Sequence, residues 1–285
     1  MTDSHRRLEF SITMDIETLT GGGLPRREVP GGHELAAPDG RRFLVAAGPG
    51  ARPEPVAGAV YDAVLLDLED VPGHLGWLRR TGAVTARTAV HALPGGRLRP
   101  AELARRLRHW ADGPPRRTLV LGGSRSGKSA EAELRLIAEP AVTYVATGAT
   151  GSDDPEWAAR VAAHRDRRPA WWETVETTDV ADVLASHDGV LLVDGIGTWV
   201  AAAMDETGAW DDPAAVAPRV DALVAAWRGT AARVVAVSDE VGLSLVPTTA
   251  SGRLFRDVLG SLNQRLAAEA EDAALVVAGR VLDLP

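Results

Sequence analysis

The segment Gly122–Ser129 (GGSRSGKS) places the tightest constraint on how this 285-residue chain folds and on what it binds. It matches the pattern G-x-x-x-x-G-K-[ST] at every fixed position. Glycines in such a loop allow positive φ angles, so that successive backbone N–H groups point inward at phosphate oxygens. The helix that follows directs the positive end of its dipole at the same anion. The segment therefore predicts a phosphate-binding loop.

Lys128 lies inside this loop and is the single lysine of a chain that has 31 basic residues. A compact ammonium group on a flexible stem reaches the β- and γ-phosphates of a nucleotide, where a planar guanidinium fits poorly. The neighbouring Ser129 supplies a hydroxyl suited to Mg²⁺. The residues predicted to bind ATP or GTP are Gly122, Gly123, Ser124, Arg125, Ser126, Gly127, Lys128 and Ser129.

The residues on either side of the loop, and the rest of the chain after it, show strands alternating with helices. Arg117–Leu121 predicts a buried strand and Ala130–Ala138 a helix, which is the setting that a phosphate-binding loop requires. Further strands are predicted at 142–146, 190–193, 234–237 and 275–278, and further helices at 155–165, 180–186, 213–227 and 251–269. This alternation is typical of an α/β fold with a mostly parallel sheet, whose ligands bind at the carboxyl ends of the strands.

Two domains are predicted, with their boundary in the segment Asp112–Arg116, which contains glycine and two prolines. Residues 116–285 form the P-loop domain. Residues 1–115 form a smaller, loop-rich α+β domain, in which Val60–Leu68 predicts a strand and Ala101–Trp110 a helix. The first domain is nearly neutral, but the second has 16 basic and 25 acidic residues. This negative charge argues against nucleic acid as a partner of the second domain.

The composition excludes several classes of protein. The chain has no cysteine, which excludes disulfides, thiolate metal sites and thiol nucleophiles. Its longest mostly apolar run, Val190–Met204, is shorter than the ~20 residues of a membrane span and contains Asp194. The first residues show no apolar segment of the signal-peptide type. We therefore expect a cytoplasmic protein that is not inserted in a membrane.

Four further residues are candidates for chemistry. Asp194 follows a predicted strand, a position typical of a carboxylate that holds Mg²⁺, although a cap for the next element is the alternative. For Asp239 and Glu240, which end another strand, a solvated turn and a functional role are equally supported. His164 lies on the predicted helix 155–165, and its spacing alone favours a histidine packed against the core.

Taken in order, these motifs resemble the CobU/CobP family of cobalamin biosynthesis, adenosylcobinamide kinase and adenosylcobinamide-phosphate guanylyltransferase. The resemblance covers residues 117–285 and implies a P-loop fold with a RecA-like sheet, in a homotrimer. The segments that carry it are Leu121–Ser129, Tyr144–Thr147, Arg160–Pro169, Trp172–Glu176, Leu192–Asp194, Glu240–Gly242, Val246–Pro247, Arg253–Asp257 and Leu262–Arg265.

The resemblance implies a two-step enzyme. The γ-phosphoryl group of ATP or GTP passes to the hydroxyl of adenosylcobinamide, and GMP from GTP then passes to the resulting phosphate through a guanylylated histidine. His164 matches that histidine, and Ala163 stands where some relatives carry a second one. Glu176 and Asp194 match positions that contact nucleotide or metal in relatives. The expected Mg²⁺ ligands are therefore Asp194 and, from the loop motif, Ser129.

The chain also departs from the family. Asp239 stands where relatives usually have asparagine, and Gly195–Ala202 differs from the residues that relatives commonly show. These departures leave open a nucleotide-binding regulatory protein without turnover. A P-loop kinase of another small alcohol, in which His164 is only structural, is a second alternative. In residues 1–115, the segments Leu19–Arg26 and Tyr61–Asp67 resemble a metallo-β-lactamase-like domain. Because the metal-binding run H-x-H-x-D-H is absent, we interpret this domain as a non-catalytic remnant.

Overall fold

The computed structural model of the chain describes residues 10–11, 23–93, 98–110, 113–148, 162 and 165–285. The chain divides into two compact units. The first comprises Met1–Pro114 and Ile137–Pro140, and the second comprises Pro115–Leu136 and Ala141–Pro285. In the part of the chain that is described, no helix is long and apolar enough to cross a membrane.

The first unit contains a six-stranded mixed sheet. Its elements are β1 (Phe10–Ser11), β2 (Arg26–Val29), β3 (Gly32–Ala36), β4 (Arg42–Ala46), β5 (Ala63–Leu66), α1 (Gly73–Arg80), β6 (Ala89–Ala92) and α2 (Pro100–Trp110). The strand order is β1-β6-β5-β4-β3-β2. Strands β1, β6, β5 and β4 pair in parallel, and β4, β3 and β2 pair antiparallel.

The first unit has more regular structure than the sequence predicts. The helix expected over Ala101–Trp110 is confirmed, and the strand expected over Val60–Leu68 is confirmed at its centre as β5. Strands β2, β3 and β4 lie where the sequence predicts loops. The sequence does not indicate them because each has only four or five residues and shows weak alternation of apolar and polar residues. Among the described residues, no three His, Cys, Asp or Glu side chains are grouped to hold a metal ion. The metallo-β-lactamase-like remnant stays a prediction.

The second unit is built on a seven-stranded sheet. Its strands are β7 (Arg117–Gly122), β8 (Thr143–Ala146), β9 (Glu173–Glu176), β10 (Val190–Asp194), β11 (Arg233–Asp239), β12 (Asp272–Val277) and β13 (Arg280–Leu284). Its helices are α3 (Lys128–Leu136), α4 (Val180–Ser186), α5 (Ile196–Thr207), the 3₁₀ turn Pro213–Ala215, α6 (Ala217–Gly229) and α7 (Ala250–Ala268).

The strand order β13-β12-β7-β11-β10-β8-β9 places the strand before the phosphate loop inside the sheet. All neighbouring pairs are parallel except β12 and β13. The predicted α/β fold with a mostly parallel sheet is therefore confirmed. Strand β9, helix α5 and strand β13 are not predicted from the sequence. The helix predicted over Pro155–Arg165 lies outside the described residues apart from positions 162 and 165.

The largest core of the second unit includes two tryptophans whose polar atoms are satisfied. Trp199 and Trp227 are almost completely buried. The Trp199 indole donates to the Thr178 carbonyl at 2.8 Å, and the Trp227 indole donates to the Leu266 carbonyl at 3.1 Å. A buried indole N–H without a partner is costly, and these bonds satisfy both. The first ties α5 to the segment before α4 and the second ties α6 to α7, whose buried residues share one hydrophobic cluster with those of α5.

A buried polar pair holds the carboxyl end of β11 against α7. The Ser238 hydroxyl donates to Asn263 Oδ1 at 2.6 Å, and Asn263 Nδ2 donates to the Asp239 carbonyl at 3.0 Å. Ser238 and Asn263 are both buried. Asn263 is thus the side chain that orients the last residues of β11.

We predict that Asn263→Ala lowers the free energy of unfolding of the chain by about 1–3 kcal/mol, because it leaves the Ser238 hydroxyl and the Asp239 carbonyl buried without this partner. Urea denaturation followed by circular dichroism measures the change. The control is Gln264→Ala on the exposed side of the same helix, with an expected change within about 0.5 kcal/mol. Equal unfolding midpoints for the two variants would contradict the assigned role.

Candidate functional site

The phosphate loop has the predicted strand–loop–helix setting. Gly122 is the last residue of β7, and Lys128 is the first residue of α3. Within the loop the Ser126 N–H donates to the Gly123 carbonyl at 3.2 Å, and the Glu131 N–H donates to the Gly127 carbonyl at 3.0 Å. The loop residues 122–129 are therefore brought together at the carboxyl end of β7, where ligands of parallel sheets bind.

Two glycines of the loop have a definite steric role. A methyl group at Gly122 would lie 2.3 Å from Ser126 Oγ and 2.8 Å from the Val276 carbonyl oxygen. Gly127 has a φ of 97°, and Arg125 between them has a φ of 55°. Backbone in this left-handed region turns N–H groups toward the inside of the loop, which is the arrangement that binds phosphate.

The Lys128 ammonium contacts the loop backbone and forms an ion pair with Asp239, at the end of the neighbouring strand β11. Its Nζ atom is 2.8 Å from Asp239 Oδ1 and donates to the Gly123 carbonyl at 3.2 Å. The pairing of β7 with β11 sets Asp239 beside Gly122, which explains the contact. Asp239 is the site residue that sequence reasoning left undecided, and its position at the end of an apolar strand is the signal that pointed to it.

Asp194 lies one strand farther from the loop than Asp239. It ends β10, where it pairs in register with Val237 of β11, so that β11 separates it from β7. At the usual strand spacing, β10 and β7 are roughly 10 Å apart. Asp194 Oδ2 accepts a hydrogen bond of 2.9 Å from the Tyr144 hydroxyl. Burial, and then the charge of Asp194, raises the pKa of Tyr144, so the phenol keeps the proton that it donates.

Three arginines that follow His164 in the sequence are anchored to neighbouring elements. The Arg165 guanidinium donates to Glu176 Oε1 at 3.0 Å. Arg167 donates to both carboxylate oxygens of the buried Glu133, on α3, at 2.9 and 3.0 Å. The Arg168 guanidinium lies 3.6 Å from the centre of the Tyr144 ring, a cation–π contact. These contacts tie the segment to β8, β9 and the helix of the phosphate loop.

The predicted site residues fall in three places. Residues 122–129 form the loop, and Asp194 lies two strands away. Glu176 ends β9, four strands from β7 and roughly 19 Å away across the sheet, so the structure does not bring it to the loop. His164 lies outside the described residues.

Three oxygen donors at or after the carboxyl ends of β7, β10 and β11 are of the type that suits a magnesium ion. Ser129 lies in the first turn of α3, and Asp194 and Asp239 end the two strands β10 and β11. Mg²⁺ binds through one or two carboxylates and keeps several waters. A hydroxyl with one or two carboxylates is therefore a donor set that fits this ion.

An open cavity of about 460 Å³ adjoins the loop. The loop residues 123–126 form one wall. The other walls come from Glu240, Leu243 and Ser244 after β11 and from residues 275–278 at the end of β12. Cavities of about 300–1,000 Å³ bind small molecules, so this one is large enough to receive part of a nucleotide or of an acceptor.

The parallel sheet and its loop define a nucleotide-binding protein of the P-loop class. Comparison with known families is more specific. The family model described as cobinamide kinase / cobinamide phosphate guanyltransferase matches residues 118–284, and the chain belongs to this family.

Proteins with curated functions agree with this membership. The chain is 39% identical over 174 residues to the bifunctional adenosylcobalamin biosynthesis protein CobU of Salmonella typhimurium, covering 56% of this chain and 95% of that protein. It is 38% identical over 174 residues to CobU of Escherichia coli, with the same coverage. The bifunctional protein CobP of Pseudomonas aeruginosa is also 38% identical over 174 residues, covering 59% of this chain and 96% of that protein.

We predict that Tyr144 remains un-ionised in the folded protein at pH 10, the pKa of an ordinary tyrosine. The chain has two tyrosines, and burial also raises the pKa of Tyr61. In a Tyr61→Phe background, the ultraviolet absorbance of phenolate therefore reports Tyr144 alone. Since the folded pKa exceeds the unfolded one, the stability linked to Tyr144 is fully present below pH 10 and is lost as pH rises through the folded pKa.

The matched variant for this titration is Asp194→Asn in the same background. It removes a charge that disfavours phenolate and so lowers the pKa of Tyr144, but leaves it above 10 because burial is the larger cause. Ionisation of Tyr144 at pH 10 in the folded Tyr61→Phe protein, in which Asp194 is intact, would contradict the assignment of the phenol as a proton donor to Asp194.

Proposed function

We propose that residues 116–285 carry out the two reactions of the family on adenosylcobinamide: its phosphorylation by ATP or GTP, and the transfer of GMP from GTP to the phosphate formed. The observation that carries the proposal is the phosphate loop, with Lys128 at the start of α3, in a unit that matches the family model from 118 to 284. The relatives are named as bifunctional proteins, which supports two activities rather than a kinase of another alcohol or a protein without turnover.

In the kinase step, the acceptor hydroxyl oxygen attacks the γ-phosphorus, the bond to the β-phosphate oxygen breaks, and the hydroxyl proton is released. The protein contributes position and charge in such transfers. The loop N–H groups bind the phosphate oxygens, and Lys128 stabilises the charge that grows on the bridging oxygen and on the γ-phosphoryl group. The cavity beside the loop is open to solvent, so that an acceptor can reach it.

In the transferase step, a neutral His164 imidazole attacks the α-phosphorus of GTP, and pyrophosphate leaves. The phosphate oxygen of adenosylcobinamide phosphate then attacks the same phosphorus, the N–P bond breaks, and adenosylcobinamide-GDP forms. Histidine suits this step because its neutral form is available near neutral pH. The anchoring of Arg165, Arg167 and Arg168 supports a role for this segment beside α3.

Several finer assignments belong to the same proposal. Ser129 and Asp194 hold Mg²⁺, which when bound reduces the negative charge of the triphosphate. Glu176 contributes to nucleotide binding indirectly, by accepting a hydrogen bond from Arg165. The functional enzyme is a trimer in the cytoplasm. Each chain has two domains, residues 1–115 and 116–285, and the first domain is a non-catalytic remnant.

We predict that the chain becomes labelled when it is incubated with Mg²⁺ and GTP carrying radioactive α-phosphorus, without corrinoid. The label is expected to be labile in acid and stable in base, as a phosphoramidate is, and to be absent from His164→Ala. Denaturing electrophoresis with autoradiography measures it. The control is His187→Ala, a described histidine bonded to Thr143 Oγ1 at 3.1 Å, which is expected to keep the label. Label retained by His164→Ala would exclude this residue as the nucleophile.

We predict that Lys128→Ala lowers kcat of the kinase step about a hundredfold or more, because the γ-phosphoryl group loses its ammonium partner. Lys128→Arg is expected to recover little, since a guanidinium fits this loop poorly. Phosphorylation of adenosylcobinamide, followed by chromatography, measures both variants. Wild-type rates in Lys128→Ala would remove the loop from the active site.

A further inference from the structure

One contact in the phosphate loop is not explained by the proposed reactions. Lys128 Nζ lies 2.8 Å from Asp239 Oδ1, the position of a direct ion pair. The same ammonium is the group that a P-loop offers to the β- and γ-phosphates. The Asp239 carboxylate and a triphosphate therefore compete for one cation, and this cation belongs to the single lysine of the chain.

The backbone of Asp239 is held in place on two sides. The pairing of β11 with β7 sets its backbone beside Gly122, and Asn263 Nδ2 binds its carbonyl oxygen. Gly197, in the first turn of α5, leaves room for the carboxylate, because a methyl group there would lie 2.3 Å from Asp239 Oδ2. The positive end of the α5 dipole favours a negative charge at this point.

The ion pair is partly shielded from water, mainly on the lysine side. The Lys128 side chain is 15% exposed and that of Asp239 is 39% exposed. A pair in this environment attracts more strongly than an exposed surface pair, which contributes little. Its rupture is therefore a measurable part of nucleotide binding.

We propose that Asp239 is a specificity residue that occupies Lys128 in the nucleotide-free loop, so that a ligand binds by displacing it. The inference rests on the proposed function in so far as this loop binds a triphosphate. A metal-free triphosphate brings only negative charge toward Asp239, whereas the magnesium complex brings a cation that compensates it. Asp239 thus makes the site discriminate between the two forms of the nucleotide.

Isothermal titration calorimetry with GTP tests this discrimination in the full chain without corrinoid, once with Mg²⁺ and once with a chelator. Asp239→Asn is expected to tighten binding of metal-free GTP about tenfold, because GTP no longer has to break a half-buried ion pair to reach Lys128. For the magnesium complex the gain is expected to stay below about threefold, because the cation offsets the carboxylate. Equal gains in both forms, no gain, or weaker binding would overturn the proposal.

The matched control is Asp221→Asn, the same acid-to-amide change in an exposed ion pair with Arg265 Nη2 at 2.8 Å. It is expected to leave both affinities unchanged, and a gain equal to that of Asp239→Asn would also contradict the inference. If the unmodified chain with Mg²⁺ does not bind GTP, the proposed function fails as well. If it binds GTP but Asp239→Asn brings no gain, the inference on Asp239 alone fails.

The single lysine offers a second, direct readout. Protein expressed with carbon-13-labelled lysine shows the side-chain NMR signal of one lysine, Lys128. In the nucleotide-free protein this resonance is expected to move in Asp239→Asn and to stay in Asp221→Asn, and GTP is expected to move it in the unmodified chain. Identical resonances in the unmodified chain and Asp239→Asn would show that the ion pair does not form.

Discussion

The parallel pairing of β7 with β11 is the interaction on which the nucleotide site depends. It aligns Asp239 with Gly122, and the Glu240 N–H extends the contact by donating to the Gly122 carbonyl at 3.1 Å. Since the phosphate loop starts at Gly122, a slip in this register would separate Lys128 from Asp239. Two features hold this register. Leu119 on β7 and Val235 on β11 are buried in the core, and the Ser238–Asn263 hydrogen bond fixes the end of β11.

Charge in the second unit is arranged so that an acidic protein can bind an anion. Several arginines are paired with carboxylates: Arg135 with Glu131 and Asp272, Arg167 with Glu133, and Arg117 with Glu271. These pairs stabilise contacts between elements of the fold. The attraction for phosphate therefore comes from a local device, the inward N–H groups and one ammonium, and Asp239 sets how strongly that ammonium is available.

The two proposed steps draw on different parts of the sheet. The loop is at the end of β7, whereas Glu176 and Tyr144 belong to β9 and β8 near its far edge. Helix α3 connects the two parts, because it starts at Lys128 and carries Glu133, which binds Arg167. In the proposed reactions, this helix links the phosphate loop to the segment that follows His164.

The sequence by itself determined the loop and the parallel sheet around it. A phosphate loop is local, since eight consecutive residues supply its N–H groups, ammonium and hydroxyl, and buried parallel strands such as β10 and β11 are visible as apolar runs. Strands β9 (ETVE) and β13 (RVLDL) end the sheet order and are largely solvent-facing, so their composition does not distinguish them from loops. The tertiary structure alone decided that Asp239, rather than Asp194, adjoins Lys128, because the order in which distant strands pair is not encoded in any local pattern.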